Sequence, residues 1–255
     1  MNIVIVGAGR VGSALSVALG KSGHKILKII SRSGEKAARL AAILECGYGN
    51  ELVIPPESEV VIVSVNDDAL CGVLKEINAP GSAIIAHTAG SVRMDVFGKE
   101  IVNHGVFYPL QTFTHGREYD FKTIPLFIEG NNDHSNNILK SLGLSVSEKV
   151  FYLSSEKRRY LHLAAVFSCN FVNHMYYAGK EISGQAGMEF NVLLPLLRET
   201  MEKASILGPE RSQTGPAVRN DKKTIEKHLD LLSFSPDLQK IYQVITDSII
   251  KKYTG

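Results

Sequence analysis

The sequence predicts an α/β chain: a parallel sheet wound with helices in its first part, and helices alone in its second. Two patterns carry this expectation. Short β-branched runs alternate with helical stretches up to about Leu153, the order expected of strand–helix–strand units. Beyond Leu153 no further strand pattern occurs, and apolar residues recur at helical spacing. The expected domains are residues 1–153 and 154–255.

Taken in order, the strand runs are Asn2 to Val6, Ile26 to Ser31, Val60 to Val65, Ser82 to His87, Val102 to Phe107 and Pro125 to Glu129. Helical patterns fall between them at about Val11 to Ser22, Glu35 to Leu44, Asp68 to Ile77 and Asp133 to Leu142. Cys46 to Asn50 reads as a degenerate strand, and Pro55-Pro56 marks a loop. In the second part Ser154 is placed to cap a helix that is apolar nearly all round from Tyr160 to Ala178. A helix of that kind is normally buried, so its polar residues need partners. Further helices are predicted near Asn191 to Leu207, Pro216 to Leu231 and Pro236 to Tyr253.

With 28 basic and 26 acidic residues the formal net charge is +2, and the longest basic run is Lys157-Arg158-Arg159. Nothing in that balance predicts a nucleic-acid track or an anionic membrane surface, so small molecules are the expected partners. Cys46, Cys71 and Cys169 show no CxxC spacing, and the histidines show no HxH or HExxH spacing, so no metal site is predicted. The chain enters its first strand at once, without a basic leader or a long apolar segment. A cytoplasmic location is the expectation.

Gly7-Ala8-Gly9-Arg10-Val11-Gly12 follows the apolar run Ile3 to Val6 and opens a helix. A buried strand that turns sharply into a helix needs glycine at the turn, and the helix N-terminus then offers unpaired N–H groups to an anion. With these flanks the motif looks like a dinucleotide cradle, and the expectation for the first half is a Rossmann-type parallel sheet domain. Some 20 residues on, where the ribose is read, stands Ser31-Arg32-Ser33 in place of a carboxylate. Arg32 between two hydroxyls suits a 2′-phosphate, and the reading is therefore NADP; the other reading of Arg32 is a solvated side chain at a strand end. Lys36, one turn further, adds a second positive charge.

Ligands of such sheets bind beyond the carboxyl ends of the strands. Ser64-Val65-Asn66 ends one strand, either as a cofactor contact or as a helix cap. His87-Thr88-Ala89, continuing through Gly90 to Ser91, ends the next. His87, Thr88 and Ala89 are cofactor candidates and Ser91 a substrate candidate, while His87 also reads as an ordinary strand-end histidine. Tyr108-Pro109-Leu110-Gln111 leaves a further strand through a proline turn, with Tyr108 a candidate proton donor and Gln111 a substrate contact; a turn packed on the core looks similar. At a constant 3.6 residues per turn, His162, Asn170 and Asn173 share a sector about 80° wide. They either line a cleft or form a buried network or subunit contact, with His162 and Asn170 the catalytic candidates and Asn173 a substrate candidate. Arg219, in Thr214-Gly215-Pro216-Ala217-Val218-Arg219, either clamps a substrate carboxylate or pairs with a nearby acid.

These segments in this order resemble the Rossmann-like proteins labelled NADP oxidoreductases of the deazaflavin-coenzyme type, whose helical C-terminal half is a domain of unknown function. The resemblance covers nearly the whole chain. It implies membership of a superfamily that includes 6-phosphogluconate dehydrogenase, pyrroline-5-carboxylate reductase, ketopantoate reductase and prephenate dehydrogenase. The chain departs from those relatives at Tyr108, where many carry His, and at Val166, where hydroxyacid dehydrogenases carry the proton-transferring Lys. The expected function is hydride transfer between a nicotinamide and a C=O or C=N carbon of a small polar substrate held in an interdomain cleft. The rival expectation is a non-catalytic NADP(H) sensor or scaffold. A homodimer is expected from the apolar helices of the second half.

Overall fold

The computed structural model describes residues 1–254. It contains two compact units, Met1–Asn170 and Phe171 onward. The first is built on an eight-stranded sheet in the order β3-β2-β1-β4-β5-β6-β7-β8. Its strands are β1 (Asn2–Val6), β2 (Lys25–Ile30), β3 (Gly47–Gly49), β4 (Val60–Val63), β5 (Ile84–His87), β6 (His104–Pro109), β7 (Leu126–Gly130) and β8 (Val150–Tyr152). Its helices are α1 (Arg10–Lys21), α2 (Gly34–Leu44), α3 (Asp67–Glu76), α4 (Asp133–Val146) and α5 (Ser155–Ala165).

Strand alternation divides the core between the two faces of the sheet. Ile3 and Ile5 join Leu15, Leu19, Leu40 and Leu139 on one side. Val4 and Val6 join Leu70, Leu74 and Phe97 on the other. Both faces are covered, so the strands read as continuous apolar runs. β1 pairs in parallel with β2 and with β4. The strand order therefore reverses at β1, and a crevice opens between the carboxyl ends of β1 and β4.

The sheet is mostly, not wholly, parallel. β7 runs antiparallel to β6, and the three-residue β8 was not among the expected strands. The degenerate segment at Cys46 to Asn50 forms the edge strand β3. The unit boundary lies at Asn170/Phe171 and not at Leu153, because α5 makes its polar contacts with β7 and with the loop after β5.

After α5 the chain passes through a π-helical turn, Val166–Phe171, into α6 (Val172–Gln185). The second unit continues with α7 (Leu194–Leu207), the single turn α8 (Pro209–Ser212), α9 (Lys222–Leu231) and α10 (Pro236–Thr254). α9 starts six residues later than Pro216, because Asp221 accepts from the backbone N–H of Thr224 and caps the helix there, after Asn220 at φ 50°. His228 Nδ1 and Tyr242 Oη, 2.8 Å apart, join α9 to α10. Few side chains in this unit are buried: Ala178, Ala217, Ile225, Leu232 and Thr246, among the described residues. No described helix is long and apolar enough to cross a membrane.

Candidate functional site

The three glycines after β1 have three different surroundings. Gly7 sits at φ +110°, and a Cβ there would collide with the backbone of Ser64 at the end of β4. A Cβ on Gly12 would collide with the carbonyl oxygen of Gly7, so Gly12 lets α1 close onto the turn. Gly9, by contrast, has open space where its Cβ would stand. It is the N-cap residue of α1 and has no side chain to satisfy the first-turn N–H groups. Two glycines thus bring backbone together, and the middle one keeps the helix N-terminus accessible to an anion.

A cavity of about 570 Å³ opens over this turn. Gly7, Ala8, Gly9, Ser31, Arg32, Ser33, Lys36, Ser64, Val65 and Asn66 all line it. Ser33 also caps α2 by accepting from Lys36 N–H. Asn66 is the N-cap residue of α3 but makes no side-chain cap bond, so its amide is available to the cavity. Asn50, Glu51 and Leu52, just past β3, complete the wall. They were missed because the degenerate strand gave no signal that its end reaches the crevice.

Other residues of the glycine motif and its neighbours point elsewhere. Gly12 lies beneath the cavity. Arg10 lines a different depression with Thr114 to Phe121, since it leaves the far side of the α1 N-terminus. Val11 packs against the core.

At the end of β5, Thr88 Oγ1 donates to Ser64 Oγ at 3.2 Å, tying this loop to the cavity wall. The His87 ring has no exposed surface and stacks on Phe97, ring centroids 5.6 Å apart. Its Nδ1 accepts from Ala89 N–H at 3.2 Å. Burial, then the positive charge of Arg158, hold its pKa down to about 3, with a smaller opposing pull from the Arg93 backbone. His87 is therefore a neutral, buried residue whose imidazole shapes the loop, with its Nε2 left without a hydrogen-bond partner. Ser91 donates to Asp67 at the start of α3.

The most specific side-chain arrangement is at the end of β6. Tyr108 Oη and His162 Nδ1 are 3.0 Å apart, with the two rings edge to face at 72°. Both rest on Gly90, where a Cβ would come within 2.6 Å of His162 Nδ1 and 2.8 Å of Tyr108 Cζ. Burial pushes the phenol pKa up to about 12, against the lowering effect of Arg158, with Cys169 adding to the rise. The phenol keeps its proton at neutral pH, and which partner donates in its bond with His162 Nδ1 follows the imidazole tautomer.

The remaining candidates are each set by their own surroundings. The π turn interrupts the constant 100° step, so the single sector proposed for His162, Asn170 and Asn173 does not hold. Asn170 lies in that turn, exposed, and Asn173 belongs to the second unit. Gln111 is exposed, and its Oε1 accepts from Thr112 N–H at 2.8 Å. Arg219 is exposed ahead of α9 and helps hold the Asp221 carboxyl below its usual range, after the larger effect of the hydrogen bonds from Thr224. The helix expected to be buried instead exposes Tyr160, Leu163 and Tyr177 in the single chain. No cluster of metal-ligating side chains occurs among the described residues.

A Rossmann-like domain model matches residues 1–111, and a model for a domain of unknown function, DUF2520, matches residues 124–249. A Bacteroides fragilis protein provisionally named an NADP oxidoreductase is 39% identical, with 98% of each chain covered and a TM-score of 0.90. The chain belongs to the Rossmann-like proteins with a DUF2520 helical domain.

More distant members of the same fold include 1-pyrroline-5-carboxylate reductase from Streptococcus pyogenes, at 17% identity and TM-score 0.62, covering 98% of both chains. The reductive aminase of Aspergillus terreus, solved with NADPH and ethyl-5-oxohexanoate, superposes at TM-score 0.72 with 13% identity, over 98% of this chain and 94% of that one. The family member also matches a segment of glutamyl-tRNA reductase from Streptomyces coelicolor, 30% identical over 100 residues. It spans 17% of that protein's length, using 38% of its own.

Proposed function

We propose that this chain is an NADP(H)-dependent oxidoreductase that reduces the C=N or C=O carbon of a small polar substrate. The observation that carries the proposal is the protonated Tyr108 phenol, hydrogen-bonded to His162 on a glycine floor, at the same sheet edge as the cavity over the glycine turn. The likeness to a protein named an NADP oxidoreductase and to a reductive aminase solved with NADPH supports the same reading.

The cavity suits the cofactor on three counts. The open face at Gly9 admits a pyrophosphate to the α1 N-terminus, where N–H groups and the helix dipole favour an anion. Arg32, exposed and without a salt-bridge partner among the described residues, stands at the cavity rim with Ser31, Ser33 and Lys36, a set suited to a 2′-phosphate. Ser64, which accepts from Thr88, ties the cavity wall to the loop that carries Gly90. When bound, the nicotinamide supplies or accepts the hydride.

The chain's own task is to orient the substrate and handle one proton. Tyr108 donates its phenolic proton to the heteroatom as negative charge builds there; His162, in the tautomer that carries its proton on Nδ1, donates that N–H to the phenol oxygen, which leaves the O–H free for the substrate and stabilises the phenolate until solvent returns the proton. A carbonyl needs that proton. An iminium arrives already protonated and needs only orientation, so imines are the substrates least dependent on Tyr108. Two copies associate through the helical unit, whose Tyr177, Met188, Leu196 and Met201 lie open to solvent over a small core of its own.

The test is NADPH oxidation, followed by absorbance, across a panel of small imines and carbonyls. Turnover with at least one is expected; cofactor binding without turnover on any of them favours a sensor. Light scattering should give twice the chain mass.

A further inference from the structure

Between β7 and α5 lies an ion pair that the proposed reaction leaves unused. The Arg158 side chain has no exposed surface, and that of Glu129 is 18% exposed. Arg158 Nη1 donates to Glu129 Oε2 at 2.6 Å, and Nη2 donates to the Val92 carbonyl at 2.5 Å and to Ser155 Oγ at 3.1 Å. Ser155 donates to Glu129 Oε2 at 2.6 Å and accepts from Met94 N–H at 2.8 Å. One guanidinium therefore ties together three segments: the first turn of α5, the end of β7 and the loop after β5.

Sequence gave no sign of this, since Arg158 sits in the basic run between exposed Lys157 and Arg159. A buried pair of this kind is costly to desolvate, and apolar residues of similar volume would seal the corner as well or better. Arg158 Nε even lacks a hydrogen-bond partner. The arrangement makes sense if the corner needs orientation. Arg158 and His162 are four residues apart on α5 and share a face of that helix. Val92, which accepts from Arg158, is two residues beyond the Gly90 floor on which Tyr108 and His162 rest.

We propose that Arg158 is a positioning residue: its fork onto Glu129 and the Val92 carbonyl fixes both α5 and the Gly90 loop, and thereby sets His162 Nδ1 against the Tyr108 hydroxyl. The catalytic meaning of that placement rests on the function proposed above. The groups facing the phenol are Arg158 and His162 from α5 and Cys169 from the π turn, with Glu129 of β7 acting through Arg158.

The test uses the full chain with nitrogen-labelled imidazoles, read by NMR. In the native protein the His162 Nδ1 resonance reports the hydrogen bond with Tyr108, whichever partner donates, and is assigned by its change in Tyr108→Phe. Arg158→Met combined with Glu129→Gln removes both charges without leaving an unpaired buried ion. This double variant is expected to move the His162 resonance to its Tyr108→Phe position and to lower kcat about a hundredfold, with the KM for NADPH unchanged. Arg158→Lys keeps the charge but lacks the planar fork, and is expected to move the resonance the same way. A native His162 resonance in the double variant overturns the proposal. Should that variant not fold, a native resonance in Arg158→Lys overturns it equally. If the native protein turns over no imine or carbonyl, the proposed reaction fails, and the resonance alone still decides the role of Arg158.

Discussion

The nucleotide cavity and the Tyr108 corner occupy the same edge of one sheet, yet they are made from different parts of the chain. The cavity floor is backbone, Gly7 and Gly9, with Gly12 packed against Gly7 beneath it, and what matters at each is the missing side chain. The corner is side chain: Tyr108 and His162 come from β6 and α5, 54 residues apart, and meet only because Gly90 and the Arg158 clamp place them. The difference teaches that the binding half of such a site is written locally, while the chemical half depends on tertiary packing. Changes to the first should divide cleanly into folding and binding effects. Changes to the second should act on turnover.

The largest effect expected is at Gly7. Gly7→Ala places a Cβ against the Ser64 backbone at a φ of +110°, so neither strand end can relax without breaking the β1–β4 register. A loss of about 4 kcal/mol or more in denaturant unfolding is expected. Gly9→Ala is the contrasting case, because the space is open and the N-cap φ of −78° is ordinary for alanine. It should cost less than about 1 kcal/mol in stability and yet abolish measurable cofactor binding by calorimetry. If the two variants behave alike, the sorting of glycines into packing and access roles is wrong.

Next in size is Tyr108→Phe. Removing the phenolic donor should reduce carbonyl turnover by roughly 10² to 10⁴, about 3–5 kcal/mol of barrier. Preformed iminium substrates should lose much less. Equal losses on both would assign Tyr108 to packing. Arg32→Ala should then weaken NADP+ by roughly 10- to 150-fold, about 1.5–3 kcal/mol for a charge-assisted contact, while NAD+ binding changes little. Calorimetry with both nucleotides decides it, and parallel losses would remove the 2′-phosphate assignment.

How much of this was legible follows from the same division. The glycine turn, its strand and its helix were readable because each rests on neighbours in sequence. Tyr108 and His162 were singled out separately, but no periodicity says that they meet. Strand direction is likewise not encoded in an apolar run, so antiparallel β7 looked like its parallel neighbours, and β8 at three residues is too short for alternation to register. The π turn at Val166–Phe171 escaped notice because one residue of extra winding leaves composition untouched, yet it undoes any face drawn through it at constant pitch. Arg158 was hidden most completely: its charge looked like surface, and only the placement of Glu129 and Val92 makes it core.

The last prediction concerns His87, which lies where the two regions join. Its pKa is about 3 in the folded chain, against an ordinary value of 6.5 when unfolded. Between those values the unfolded chain binds a proton that the folded one does not, so stability is complete above about pH 6.5 and falls as the pH is lowered towards 3. The slope contributed reaches about 1.4 kcal/mol per pH unit in that window. His87→Asn keeps an acceptor within reach of Ala89 N–H but has no titrating ring. In urea unfolding at a series of pH values it should be less stable than the native chain at neutral pH, through loss of the stacking on Phe97, and should show a flatter acid limb. An unchanged acid limb would mean that the His87 ring takes up a proton without unfolding, which would place it at the solvent-facing site after all and not in the core beneath it.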